Sequence, residues 1–174
     1  MQLVQFGKLK SLVVNETFIK KGEICKNIYF IKKGIVRCFY LSDLGEEKTI
    51  MFGKEGELLG IPECLFQNME TNQYWQALEP CEIYEISYNF LQKMSNQNIK
   101  IMKIKVEFVE NMALNALSRV ESFIIYSPLQ RYQKLKKEHP EIIQRVADKH
   151  IAYYLGITPV SLSRIRKRIY SEKK

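Results

Sequence analysis

Asp148–Lys167 reads DKHIAYYLGITPVSLSRIRK, and its apolar, small and glycine positions are those that let one short helix pack across another. Ile151, Leu155, Ile157, Leu162 and Ile165 supply the contact, and Ala152 is small enough for a second backbone to come close. Gly156 offers the positive φ that a sharp turn at a helix C-terminus requires. Thr158 follows as a hydroxyl cap for the next helix, and Pro159 falls in its first turn, where a missing N–H costs nothing. That second helix carries Ser161, Ser163, Arg164, Lys167 and Arg168, the composition of a helix that enters the major groove of DNA. An ordinary pair of helices with a solvated basic face is the plainer alternative, and the charge distribution speaks against it.

From Tyr126 to Lys174 there are twelve Lys or Arg against four acids, whereas the preceding 125 residues carry fifteen of each, so the whole formal charge of +8 sits at one end. A basic segment of this kind seeks a polyanion. A membrane surface would call for a wide Trp/Phe/Leu face beside the charges, and none accompanies them, so the expected partner is nucleic acid and no membrane.

The 174 residues, 46% hydrophobic and 26% charged, suit one large globular domain or two small ones. No apolar run approaches the roughly 20 residues of a membrane span, and Met1–Leu12 lacks the apolar centre of a signal peptide, which points to the cytoplasm. Cys25, Cys38, Cys64 and Cys81 are spaced by 13, 26 and 17 residues, with no histidine nearby in sequence; no metal or cofactor is implied. The cysteines read as small buried hydrophobes, with redox sensing as the alternative. His139 and His150 read as surface or capping residues. With no nucleophile and base arrangement, no paired carboxylates serving one and no metal motif, an enzyme is not expected.

Phe18–Lys20, Asn27–Ile31, Ile35–Leu41, Lys48–Phe52, Tyr74–Leu78 and Glu82–Ser87 are rich in β-branched or aromatic residues and bounded by turn signals. Gly22, Gly34, Gly45 and Gly56 recur at spacings of 12, 11 and 11, too close for parallel crossovers, so an antiparallel sandwich or roll is expected. Gly60 and Pro62 mark an irregular segment before the next strand.

Asn98–Ile125 contains neither Pro nor Gly, and Met102, Val106, Val109, Ala113, Ala116, Val120 and Phe123 recur at alternating spacings of 4 and 3. A heptad held this long is a coiled-coil seam, which predicts a parallel homodimer. Ile101, Ile104, Phe108, Leu114 and Leu117 form a second apolar face, expected to pack on the sheet. Ser127-Pro128 starts a helix that runs to about Glu138, and Ile125–Ser127 is the candidate hinge. The domains predicted are 1–97, an antiparallel β-roll; 98–125, the dimerisation helix; and 126–174, the helix-turn-helix. The fold class is α+β.

In this order of parts the chain resembles the Crp/Fnr family of bacterial transcription regulators. The resemblance is carried by Lys21-Gly22-Glu23, Tyr29-Phe30-Ile31-Lys32-Lys33-Gly34, Gly45-Glu46-Glu47, Leu59-Gly60, Glu85-Ile86-Ser87-Tyr88 and Ile151-Ala152-Tyr153-Tyr154-Leu155-Gly156-Ile157-Thr158. The last string, continuing as Leu162-Ser163-Arg164, is especially similar to Bacteroidetes members. The resemblance implies a cyclic-nucleotide-binding-like β-roll (a double-stranded β-helix), a long dimer helix and a winged helix-turn-helix. The chain leaves little length for the wing after its last helix, and lacks the N-terminal cysteine cluster of the family's oxygen sensors.

It further implies a homodimer on a pseudo-palindromic double-stranded operator, with RNA polymerase and an unidentified small-molecule effector as further partners. By position, Arg164 falls on a base edge, where guanine O6 and N7 suit a guanidinium. Val160 and Ser163 approach neighbouring bases, while Lys149, Thr158, Ser161, Lys167 and Arg168 suit phosphates, with Pro159 in the same first turn. The effector pocket falls on Leu59, Gly60, Ile61, Glu63, Thr71 and Asn72. Cyclic-nucleotide-binding members place an acid directly after the loop glycine and an Arg-Ser/Thr pair further on; here those places hold Ile61 and Thr71-Asn72. Cyclic AMP is therefore not the expected effector. A cysteine-based redox regulator, or an interaction protein that uses the sensor fold only to dimerise, are the other readings.

Overall fold

The computed structural model describes residues 4–171. A 3-10 turn at Val4–Phe6 leads into eight strands: β1 (Lys8–Leu12), β2 (Thr17–Ile19), β3 (Asn27–Lys33), β4 (Val36–Leu41), β5 (Glu47–Gly53), β6 (Leu58–Leu59), β7 (Tyr74–Ala77) and β8 (Cys81–Ser87). A short helix, α1 (Pro62–Gln67), separates β6 from β7. The strands form two antiparallel sheets, ordered β1-β8-β3-β6 and β2-β7-β4-β5, and the chain passes repeatedly between them, which makes the unit a roll. Alternation along each strand fills the space between the sheets: Ile31, Val36, Cys38, Trp75, Ala77 and Ile83 are all buried in one cluster.

Helices follow. After α2 (Tyr88–Ser95), the Asn98 side chain accepts from the Lys100 and Ile101 amides and starts α3 (Ile99–Ile125). Ser127 and Gln130 cap α4 (Pro128–Glu138) reciprocally, in agreement with the predicted start and stop. α5 (Pro140–Arg145), α6 (Asp148–Leu155) and α7 (Pro159–Ser171) complete the described chain. No helix among the described residues is long and apolar enough to cross a membrane.

Several elements depart from the sequence expectation. β1, KLKSL, buries only Leu12, because an edge strand pairs through its backbone and needs little apolar pattern. The segment expected to be irregular contains α1, which begins at Pro62. Of the face expected to meet the sheet, Ile101, Ile104 and Phe108 do so, joined by Met112, whereas Leu114 and Leu117 are 62% and 55% exposed. At about 100° per residue, Leu114 and Leu117 fall on the side of the helix opposite Phe108 and Met112, which is why they are exposed.

The C-terminal helices fold back onto the outer face of β4 and β5. Ile35, buried completely, joins Tyr132, Leu135, Ile142, Val146, Ile151 and Leu155 in one cluster, with Phe52 and Leu78 at its edge. Phe52 and Tyr154 rings lie 5.1 Å apart. Ion pairs frame the contact: Arg145 bridges Glu55 (2.6 Å) and Glu79, and Lys54 pairs with Glu141. Arg37 points outward from β4 yet is buried. Its guanidinium bonds Gln76 at 2.7 and 2.9 Å and pairs with Glu47 at 2.8 Å.

His150 corrects the expectation of a surface residue. It is buried in the contact with β5, its Nδ1 has no hydrogen-bond partner, and burial pushes its pKa down to about 4, with Arg37 and Lys149 acting in the same direction and Glu47 opposing. An unfolded histidine titrates near 6.5, so between these values the unfolded chain binds more protons. The stability associated with neutral His150 is present above about pH 6.5 and is lost as pH falls toward 4. Thermal melts from about pH 7 to about pH 5 should show a falling midpoint for the wild type and a flatter profile for His150→Leu. Parallel profiles would remove His150 from this role.

Candidate nucleic-acid interface and interior cleft

α6 ends where Gly156 takes φ +70°, with its N–H bonded to Tyr153 O and the Ile157 N–H to Ala152 O. This is a Schellman-type stop. A Cβ at Gly156 would lie 2.7 Å from the Phe123 ring of α3, so the turn is closed by conformation and by packing. The Thr158 hydroxyl accepts from the Ser161 amide at 3.2 Å and caps α7. Ile151, Ala152, Leu155 and Leu162 are buried, with Ile157 and Ile165 partly so.

What remains outside is the predicted nucleic-acid face. Lys149, Thr158, Pro159, Val160, Ser163, Arg164, Lys167 and Arg168 are exposed, and Ser161 is half-buried beside Thr158. Arg166 belongs to a different face: it pairs with Asp148 at 2.9 Å and lies over the Tyr132 ring, holding the two helices of the motif at a fixed angle.

The predicted effector residues divide. Glu63 Oε1 accepts from the Thr71 hydroxyl at 3.2 Å and from Gln73 Nε2 at 3.1 Å. Gln73 Oε1 in turn accepts from Trp75 Nε1 and the Cys38 thiol. Ile61 and Thr71 are buried and Asn72 is exposed. Only Leu59 and Gly60 of the six line the principal cleft, a space of about 930 Å³ enclosed by β5, the turn before β6, β7, α3 and the C-terminal helices.

Sequence reasoning missed the other walls of this cleft: Trp75 and Gln73 from the roll, Phe108 and Met112 from α3, and Arg119, Arg131 and Lys134 near the α3–α4 junction. A lone arginine within the apolar α3 run, and the single tryptophan of the chain, were the available signals.

On α3, Met102, Val106, Val109, Ala113 and Val120 are exposed, as a seam requires. Ala116 is exposed too and also lines the cleft. Phe123 touches its own chain at Gly156, with the Arg119 and Arg131 guanidiniums 4.4 and 4.6 Å from its ring, and is 44% exposed. A drift of about 20° per heptad turns Ala116 and Phe123 toward the cleft side of the helix, while both keep exposed surface.

The class these parts define is a double-sheet roll joined through a long helix to a basic helix-turn-helix. Residues 9–98 match the family described as "Cyclic nucleotide-binding domain", and the chain belongs to that family, with relatives of the Crp/Fnr type. It is 27% identical over 171 residues to the anaerobic regulatory protein of Aggregatibacter actinomycetemcomitans, a match covering 91% of this chain and 65% of that protein. The chain thus spans just under two thirds of that relative's length. It is 24% identical over 166 residues to the cAMP-activated global transcriptional regulator CRP of Salmonella typhimurium, covering 88% of this chain and 78% of that one. Among solved structures, FixK2 from Bradyrhizobium japonicum superposes with a TM-score of 0.79 at 14% identity, over 96% of this chain and 86% of FixK2; at that identity the likeness speaks for the fold alone.

Gly156→Ala should destabilise the C-terminal helices by about 1–2 kcal/mol, the usual cost of a left-handed conformation for a residue with a Cβ, increased by the contact with Phe123. Urea titration followed by circular dichroism checks this, and Gly156→Asn should cost less because asparagine tolerates that region.

Proposed function

We propose that this chain is a homodimeric, sequence-specific DNA-binding transcription regulator of the cytoplasm and not an enzyme. The observation that carries the reading is the exposed row Val160, Ser163, Arg164 and Lys167 on a capped helix whose opposite face is buried. Arg164 reads a base edge, Val160 and Ser163 approach neighbours, and Lys149, Thr158, Ser161, Lys167 and Arg168 hold phosphates. RNA polymerase and a small effector are the partners such a regulator would serve.

The dimer is proposed on the apolar stripe of α3. The stripe runs through Met102, Val106, Val109, Ala113, Ala116, Val120 and Phe123, all of them exposed, with Leu117 and Ile124 exposed beside it. Two such stripes across a two-fold axis would exclude water and set two copies of α7 about 34–36 Å apart, the spacing of successive major-groove faces.

We also propose that the roll does not hold cyclic AMP. Arg37 is the one arginine of residues 1–118, and it is committed to Glu47 and Gln76 on the outer sheet face. Glu63 already accepts from Thr71 and Gln73, and a phosphate anion enclosed without a cation would lose a charge-assisted contact. A cysteine-based sensor is the weaker reading. All four cysteines are buried and free of disulfides; burial pushes the Cys81 thiol up to about 11 and raises Cys38 and Cys64 also, which opposes thiolate chemistry.

Selection of bound sequences from a random DNA pool tests the main reading. On the preferred site Arg164→Ala should lose about 1–3 kcal/mol and relax specificity, whereas Lys167→Ala should weaken all sequences alike. Equal losses on specific and random DNA for Arg164→Ala would deny it the base-reading role. Val109→Glu with Val120→Glu should convert the dimer to a monomer in sedimentation equilibrium and abolish binding to a two-half-site operator. Calorimetry with cyclic AMP should show no saturable binding at sub-millimolar concentration.

A further inference from the structure

The junction of α3 and α4 gathers three cations that no carboxylate neutralises. Arg119 sends one nitrogen to Tyr154 O and lies 3.9 Å over the Tyr154 ring. Arg131 bonds Leu155 O at 3.1 Å and Tyr126 O at 2.7 Å. Lys134 reaches the Ser118 hydroxyl at 3.5 Å and lies over the Tyr126 ring. Their partners are all neutral: among the described residues none of the three enters an ion pair. Burial holds the Arg119 guanidinium below its ordinary value, and the charge of Arg131 adds to that depression. Half-buried guanidiniums side by side are costly unless something negative joins them.

All three side chains line the cleft of about 930 Å³. Toward the start of α3 the same cleft is walled by Ile104, Phe108, Met112, Leu58, Leu59 and Trp75. Glu57, Glu107 and Glu138 also border it, but none comes into ion-pair contact with the cationic end. The space is within the usual range for a small-ligand site, and it has an apolar body and a charged end.

We propose that this cleft binds an amphiphilic organic anion, with its carboxylate or phosphate between Arg119, Arg131 and Lys134 and its apolar body against Phe108, Met112 and Trp75. The site is separate from the Glu63–Thr71 cluster of the roll. Arg119 stands on α3 and the other two cations on α4, on either side of Tyr126 and Ser127, so a bound headgroup ties the angle between the two helices. That regulatory consequence rests on the DNA-binding reading; the binding itself does not.

The test uses the full chain and the fluorescence of Trp75, the single tryptophan, backed by calorimetry, with dodecanoate, dodecyl phosphate, dodecanol and inorganic phosphate added below micelle formation. Dodecanoate or dodecyl phosphate should bind saturably, and the tighter of the two identifies the headgroup. Dodecanol and inorganic phosphate should each bind at least about tenfold more weakly, the usual consequence of losing hydrogen bonds to a charged group or the apolar contact. Arg119→Gln and Lys134→Met should weaken the acids by about tenfold or more, while Arg164→Ala leaves them unchanged. Lys134→Met keeps the test decisive should Arg119→Gln fail to fold, since Lys134 makes only one long hydrogen bond. Dodecanol binding as tightly as the acids, or undiminished acid binding by folded Lys134→Met, would overturn the proposal. Acid binding by a protein that selects no DNA sequence would leave the site standing and remove the regulatory reading.

Discussion

The arrangement of the whole chain depends on one apolar contact, the seating of α4, α5 and α6 on the outer face of β4 and β5. Ile35 at its centre is completely buried, although it lies just before a strand whose neighbouring residues belong to a different cluster inside the roll. A sheet covered on both faces needs apolar residues on both. β4 meets this by pointing Val36 and Cys38 inward, while its outward residue, Arg37, is neutralised by Glu47. The seating leaves the opposite side of the helix-turn-helix motif to solvent, so the same packing that stabilises the C-terminal helices determines which face of α7 is available.

Around this contact the interactions are graded. The central apolar cluster excludes water and is indifferent to salt, whereas the pairs at its border, Arg145 with Glu55 and Glu79 and Lys54 with Glu141, are partly exposed and contribute modestly. Their value is orientational, because they connect α5 to the turns that follow β5 and β7. The junction at Tyr126 and Ser127 has no such framing. It is held by carbonyl bonds to Arg131 and by the contact of two guanidiniums with the Phe123 ring, and it borders the cleft of about 930 Å³.

Much of the C-terminal architecture was legible in the sequence because its determinants are local. Gly156, Thr158 and Pro159 specify a turn within four residues, and Ser127-Pro128 specifies a helix start within two. The roll was legible through its turns and β-branched runs, but β1 was not, since an edge strand carries almost no pattern. The heptad on α3 was legible as a stripe of apolar residues that the fold leaves exposed. The cleft was beyond sequence reading altogether: its walls come from β5, β7, α3, α4 and α6, separated by up to a hundred residues, and no local spacing unites Trp75 with Arg119 and Lys134.

The ion pairs at the domain contact also bear on how this protein would exchange small ions when it meets a polyelectrolyte. Of the twelve Lys and Arg beyond residue 125, Arg145 and Arg166 are already matched by acids of the same chain, and Arg131 and Lys134 face the cleft. Condensed counterions leave a duplex only in proportion to the phosphates neutralised. The exponent linking binding constant to salt concentration should therefore reflect the exposed charges of α6 and α7, and be well below the value suggested by the net charge of the chain.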